Sequence, residues 1–474
     1  MRRSHLLLAS AVVIAGAAAM LGGGNRSGTP AEVQGAPLIA ASAVGGPITL
    51  PVTLPVTLPL AVVNRTAVAI ADLIDLDQLV LAPGGDHFEA TLKDGRHAVL
   101  TLDPALQAYA EKLLSEARAP RGAIVAMAPD GRILAMAGRR SDPSSKSPSK
   151  SSSAALPPQP ASPPQPALPA QPASPAQPVS PRGAARDGSF DWRLATEVWA
   201  PAASVFKLVT ASALVAAGVD PDNKVCFHGG LRSVLESNLR DDKRDSRCES
   251  LVYGVAHSNN AILGKLAFQK LEPAALTRFA TDLGVAAGLP GAELRGTAGA
   301  IEIPTVRDLS FAQTAAGFAG SQLSAVGGAL LAATFADDGE QPAPRLIASI
   351  DGVAQPAPAR RRAVTAEVAR AVGKMMLATC ELGSAAKSFG RHQAIHVAGK
   401  TGTLTRTEPF YMEHSWFVGF APAENPQIIV SVVLGNPENW HLRGHEAARR
   451  LIDRAIGHDK DRTAKIASTR RVGW

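Results

Sequence analysis

Residues 141–185 have a composition that excludes a packed core, and this constrains where the rest of the chain can build one. From Ser141 to Pro181 the sequence holds 13 of the protein's 36 prolines and no aromatic residue. Within that stretch PPQPAS, PPQPAL, PAQPAS and PAQPVS follow one another from Pro157 to Ser180. Proline fixes φ and lacks an amide donor, so such a repeat supports neither helix nor sheet and is expected to run as a solvated, polyproline-like loop. Strand signals precede it and the most apolar helical pattern follows it. The segment therefore reads as an insertion within one domain rather than a linker between two.

The rest of the 474-residue chain divides unevenly. Arg2 and Arg3 precede an uncharged run of 19 residues, Leu6 to Gly24, close to the length that spans a bilayer. The positive flank places the amino terminus in the cytoplasm and the rest outside. Ala17 to Ala19 also offer a cleavage site, so residues 1–24 read as a signal-anchor or a signal peptide, and both export the protein. Residues 25–95, with Thr-Leu-Pro repeating every four residues from Thr49, read as an extended Pro-rich spacer. A globular domain is expected over 96–458, followed by a charged tail at 459–474. Asp103 and Pro104 supply a cap and first-turn proline for a helix through Ala117. Ala123–Met127 and Ile133–Ala137 flank Asp130-Gly131, a hairpin signal. Ser204–Ala217 is an almost wholly apolar helix ending at Gly218. Helical stretches follow within 251–271 and 306–336, and strands at Ser415–Phe420 and Gln427–Leu434.

Composition narrows the function classes. A single span-length stretch excludes a multi-span transporter, and three cysteines exclude a disulfide-knit scaffold. The net charge is +7, but aromatics make only 4% of the chain and no Lys/Arg cluster is interleaved with them, so no nucleic-acid partner is expected. An anionic membrane or wall suits the charge.

Three Ser-x-x-Lys quartets occur, at Ser147/Lys150, Ser204/Lys207 and Ser384/Lys387. Ser147 lies in the proline-rich loop and Ser384 in a mixed polar stretch; Ser204 alone opens an apolar helix. A serine there faces the positive end of the helix dipole. Lys207, three residues on, lies on the same face, where an apolar setting favours its neutral, basic form. A capping serine with a snorkelling lysine would look the same. His257-Ser258-Asn259-Asn260 precedes another apolar run and reads either as a helix cap or as a polar site element. Lys400-Thr401-Gly402-Thr403 follows a short apolar stretch and reads as a turn or as a strand edge that another backbone can approach.

In this order, 54 and 142 residues apart, Ser204-x-x-Lys207, Ser258-x-Asn260 and Lys400-Thr401-Gly402 resemble the motif set of penicillin-binding transpeptidases and the related serine β-lactamases. The resemblance covers roughly Leu100–Arg140 and Asp191–His458, including Leu102 to Gln107, the 123–137 hairpin, Gly383-Ser384-Ala385 and His414 to Pro422. It implies an α/β domain of the α+β type, with a five-stranded antiparallel sheet flanked by helices and an all-helical subdomain. It also implies a serine D,D-transpeptidase or carboxypeptidase acting on D-Ala–D-Ala stem peptides of peptidoglycan and acylated by β-lactam antibiotics. The expected location is the periplasmic, extracytoplasmic side of the bacterial inner membrane, and no cofactor or metal is expected. By the same likeness Ser204 is the nucleophile and Lys207 takes its proton. Ser258 relays a proton to the leaving amine, and Asn260 holds the substrate amide and orients Lys207. Lys400, Thr401 and Thr403 bind the terminal carboxylate, and Gly402 admits the peptide as an extra strand. The Ser204 and Thr403 amides form the oxyanion hole.

The two lysines are expected to depress each other's pKa, so that acylation rises between pH 6 and 9 as Lys207 deprotonates. Cys226 and Cys248 bracket a polar loop and, in an exported protein, can pair as a disulfide; with His228 and His257 they match no usual zinc spacing. Cys380 reads as a buried small hydrophobe. The region before the hairpin is too short and proline-rich for a glycosyltransferase or large pedestal domain. Ala202-Ala203 stand where the family often has Pro-Gly or Gly, and Ser384 where it often has Thr; neither departure is expected to touch a catalytic group. Two other readings use the same fold. A β-lactamase needs a deacylating base, yet Asn259 stands where class A enzymes have Asp and Glu293 lacks a following Asn. A non-catalytic, β-lactam-sensing or wall-binding module has no signalling domain before Leu6.

Overall fold

Two separate strand signals in the sequence close into one sheet. In the computed structural model, which describes residues 74–76, 79–141 and 191–471 apart from 231, 292, 391–393, 408 and 409, five strands pair antiparallel. They are β1 (Arg121–Met127), β2 (Ile133–Arg140), β3 (Ala398–Arg406), β4 (Met412–Ala421) and β5 (Ile428–Asn436). Their order is β3-β4-β5-β1-β2, which leaves β3 at one edge. The central strand β5 is buried along its whole length, as its continuous β-branched run requires. Val432 pairs with Phe417 on one side and Ile124 on the other.

Each face of the sheet carries its own apolar cluster, because successive side chains point to opposite faces. Val430, Val432 and Leu434 pack with helix α1 (Pro104–Ala117) and the closing helix. Ile429 and Val433 pack with the helices on the other face. Those are α2 (Lys207–Ala216), α3 (Leu251–Ala256), α4 (Asn260–Lys270), α5 (Leu309–Ala315), α6 (Ala325–Ala336) and α7 (Ala366–Glu381). Helix α1 is capped by Asp103, whose carboxylate accepts the Leu106 N–H, as its sequence signals.

Two expected boundaries shift. The spacer read over 25–95 ends earlier, because Phe88–Thr91 and His97–Leu100 pair antiparallel around an Asp94-Gly95 turn. They join Ile347–Ile350 in a second five-stranded sheet, and the Asp-Gly signal between them went unread. The charged tail read over 459–474 is helical through Arg471, since α8 runs Gly444–Arg471 without a breaking proline. The apolar run at 6–24, the Thr-Leu-Pro repeats and the proline repeats lie outside the described residues. On the near side of that last gap, the Gly138 carbonyl of β2 accepts the Asp191 N–H at 2.7 Å. Among the described residues, no helix is long and apolar enough to cross a membrane.

Candidate active site

The backbone around Ser204 is pinned before any side chain is considered. Ala200–Pro201 pairs with Ser321–Leu323, the Trp416 indole N–H donates to the Pro201 carbonyl at 2.8 Å, and the Ala202 N–H donates to Ser321 O at 2.9 Å. Ser204 then sits in a 3₁₀ turn, Ala203–Phe206, that leads into α2. The expected α-helix therefore begins at Lys207. Ala203 has φ +50°, a left-handed conformation that costs an alanine about 1–2 kcal/mol. Gly317 makes room for it, since a Cβ there would lie 2.2 Å from the Ala203 carbonyl oxygen. Ala203 is thus not a neutral departure from the family pattern, because it sets the backbone on which Ser204 is mounted.

Lys207 is fully buried. Its Nζ lies 2.8 Å from Ser204 Oγ, 2.7 Å from Asn260 Oδ1 and 2.6 Å from the Ala316 carbonyl oxygen. Burial, and then the charge on Lys400, hold this amine well below its ordinary range. Burial also lowers Lys400, to about 7, with the Cys380 thiol acting weakly the other way. The expected mutual depression runs in one direction only. Lys400 helps to lower Lys207, whereas burial is what lowers Lys400.

The second motif divides its residues between two tasks. Asn259 caps α4 by accepting the Ile262 N–H at 3.1 Å, which frees Asn260 to meet Lys207. The cap and the site element are adjacent residues, so both sequence readings hold. Ser258 takes φ +56° in the turn between α3 and α4. Its hydroxyl is not hydrogen-bonded to Ser204, Lys207 or Lys400 among the described residues.

The third motif lies on edge strand β3. Lys400 is fully buried, with Nζ donating to its neighbour's carbonyl, Thr401 O, at 2.9 Å; the Thr403 side is exposed. A Cβ on Gly402 would lie 3.2 Å from the Ala202 carbonyl oxygen and from Val205 Cγ2. The backbone that this glycine admits is the chain's own turn around Ser204. Ser384 also belongs here, against expectation. Its Oγ lies 2.6 Å from Thr401 Oγ1, and its N–H donates to Ala256 O at 2.9 Å, just before Ser258. Ala316, Gly317 and Ser384 escaped sequence reasoning; only the Gly383-Ser384-Ala385 likeness pointed towards one of them.

Cys226 and Cys248 are joined as a disulfide, which leaves no thiolate pair for zinc. Cys380 is buried in α7 and its thiol is pushed up by burial. Among the described residues no cluster of three or more His, Cys, Asp or Glu side chains is placed to hold a metal.

The sequence model of the penicillin-binding protein transpeptidase domain matches residues 122–455. The chain belongs to that family. The transpeptidase domain is 32% identical over 114 residues to peptidoglycan D,D-transpeptidase PbpA of Mycolicibacterium smegmatis, covering 22% of this chain and 23% of that one. It is 31% identical over 122 residues to PbpA of Mycobacterium tuberculosis, covering 24% of each. The matched stretch thus spans about a quarter of these relatives. The fold is that of penicillin-binding protein A from M. tuberculosis, solved as a ceftriaxone acyl-enzyme complex (TM-score 0.56, 20% identity, 76% of this chain and 80% of that one). It is shared with penicillin-binding protein 3 of the same organism in complex with aztreonam (TM-score 0.58, 20% identity, 77% and 80%).

Two measurements check this geometry. In NMR of ¹³Cε-labelled lysine, the resonance lost in Lys400→Met is expected to titrate near pH 7, and the Lys207 midpoint to rise once the Lys400 charge is gone. A Lys400 midpoint above about 9 would contradict the burial argument. Ala203→Gly is expected to keep or raise the thermal midpoint, while Ala203→Val loses about 1–3 kcal/mol; the reverse ranking would show that Ala203 is not held left-handed.

Proposed function

We propose that the transpeptidase domain is a serine D,D-transpeptidase that cross-links peptidoglycan stem peptides through a Ser204 acyl-enzyme. One observation carries the reading. A neutral amine has two N–H donors and one lone pair, and two of the three oxygens around Lys207 Nζ, Asn260 Oδ1 and Ala316 O, are acceptors only. They take both N–H groups. The lone pair is left facing Ser204 Oγ, where it accepts the hydroxyl proton as oxygen attacks a D-Ala–D-Ala carbonyl. The amides of Ser204 and Thr403 stabilise the oxyanion, a contribution of about 10²–10³ in rate per donor. Ser258 passes a proton to the departing D-alanine. The terminal carboxylate is held by Lys400 with the Thr401 and Thr403 hydroxyls, and the stem peptide lies along the β3 edge as an added strand. An amine acceptor then gives the cross-link; water gives carboxypeptidase activity.

The name shared by the curated relatives, peptidoglycan D,D-transpeptidase, supports this substrate, and the ceftriaxone acyl-enzyme of the solved neighbour supports β-lactams as acylating ligands. A β-lactamase is disfavoured. The Glu293 carboxylate is tied to the Leu346 and Ile347 N–H groups at 2.7 and 2.8 Å, and no carboxylate hydrogen-bonds Ser204 or Lys207 among the described residues. A β-lactam-sensing role would keep the acylation and lose the transfer. The family match runs across 141–185, which supports an insertion inside one domain over 96–458. The charge-flanked run at 6–24 supports an extracytoplasmic position, by anchor or by cleaved signal.

Labelled penicillin is expected to give a long-lived adduct on Ser204 that is absent in Ser204→Ala. A D-Ala–D-Ala peptide mixed with a D-amino acid is expected to yield the exchanged peptide. Rapid drug turnover would move the assignment to β-lactamase, and label without any exchange or trimming would leave only a sensor.

A further inference from the structure

Among the described residues Lys207, Lys265 and Lys400 are the fully buried lysines, and the proposed chemistry uses only two of them. Lys265 lies on α4, five residues after Asn260. Its Nζ donates to the Cys226 carbonyl at 2.8 Å and to Asp245 Oδ2 at 2.7 Å, and pairs with Asp241 at 2.9 Å. Burial opposes charge on Lys265 and Asp245 alike, yet hydrogen bonds prevail: those to Asp245 and Asp241 raise Lys265, and those from His228 and Lys265 lower Asp245. Asp245 Oδ1 lies 2.6 Å from His228 Nδ1, and the His228 carbonyl accepts Asn238 Nδ2 at 2.9 Å. The strands Lys224–Phe227 and Arg247–Ser250 pair here, bound by the Cys226–Cys248 disulfide.

From this clamp the chain runs to Gly230, whose carbonyl accepts the Asn260 N–H at 2.8 Å. A Cβ on Gly230 would lie 2.8 Å from Asn259 Oδ1 and 2.4 Å from Ala261 Cβ. Residues 226–230 therefore lie as a splint along the first turns of α4, fastened at Cys226 by Lys265 and at Gly230 by Asn260. A buried ion cluster adds little net stability over apolar packing of the same volume. What it adds here is direction, because three oxygens fix where the Lys265 end of α4 sits.

We propose that Lys265 is a positioning residue for acyl transfer: with Asp245 and the disulfide it locks the 226–230 splint onto α4 and so sets Asn260 Oδ1 against Lys207 Nζ. The proposal rests on the Ser204–Lys207 reading above. It acts more on the bond-making step than on substrate capture, since Lys400, Thr401 and Thr403 belong to β3 and only the amide contact expected of Asn260 lies on α4.

Stopped-flow acylation by a chromogenic penicillin, normalised to the number of sites that take label, separates the two. In Lys265→Met the acylation constant k2 is expected to fall about 10–100-fold, with a much smaller change in the non-covalent dissociation constant. Asp245→Asn and the full chain with its disulfide reduced are expected to show a smaller loss, again mainly in k2, which keeps the test open if Lys265→Met does not fold. Unchanged k2 in folded variants, or equal losses in k2 and affinity, would overturn the positioning role while the wild type still labels. A wild type that takes no label would overturn the Ser204 reading and this one together.

Discussion

The site depends on burying one amine beside one hydroxyl. In water Lys207 would be a cation at neutral pH; enclosed on all sides, it is held well below its ordinary range. Apolar walls alone would leave its two N–H groups without partners, so the enclosure is completed by the carbonyl oxygens of Asn260 and Ala316. These come from the start of α4 and from the residue after α5. The packing of three helices therefore fixes which way the lone pair points. Lys400 adds its repulsion from the sheet, so the two buried lysines are coupled electrostatically.

Backbone strain collects at the same place. Ala203 and Ser258 both hold a left-handed conformation that residues with side chains seldom adopt. Each is over-determined by its surroundings. Ala203 is fixed by the Trp416–Pro201 and Ala202–Ser321 bonds and by the gap at Gly317. Ser258 is fixed by its own N–H to Val255 O and by Asn259 N–H to Gly254 O. Strain that persists in this way is characteristic of positions where side-chain placement matters more than local stability.

What the sequence shows and what it hides follow from the kind of contact involved. The Asp103 cap, the Asp130-Gly131 hairpin and the β-branched run of β5 are local patterns, and each reads directly as an element. The three motifs are legible through their order and through the apolar helix that Ser204 opens, since Ser-x-x-Lys by itself occurs three times. Ala316 is not, because it acts through a carbonyl that every residue carries. Ser384 reads from sequence only as part of a mixed polar stretch, although its hydroxyl meets Thr401 from 17 residues away. Gly402 reads as a place where another backbone can come close, and the assembled fold puts the turn around Ser204 there. The strands at 88–100 were lost to a spacer reading because the proline repeats before them dominated the composition.

The most direct test is the pH dependence of single-turnover acylation by a neutral-pH-stable penicillin. With Lys207 held well below its ordinary range by burial and by Lys400, k2 is expected to reach its plateau well before the pH at which an ordinary lysine deprotonates, while k2/K declines above about 7 as Lys400 loses its proton. A k2 that climbs about tenfold per pH unit between roughly 8 and 10 would mean that Lys207 is a cation in the resting enzyme, and would contradict the base assigned to it.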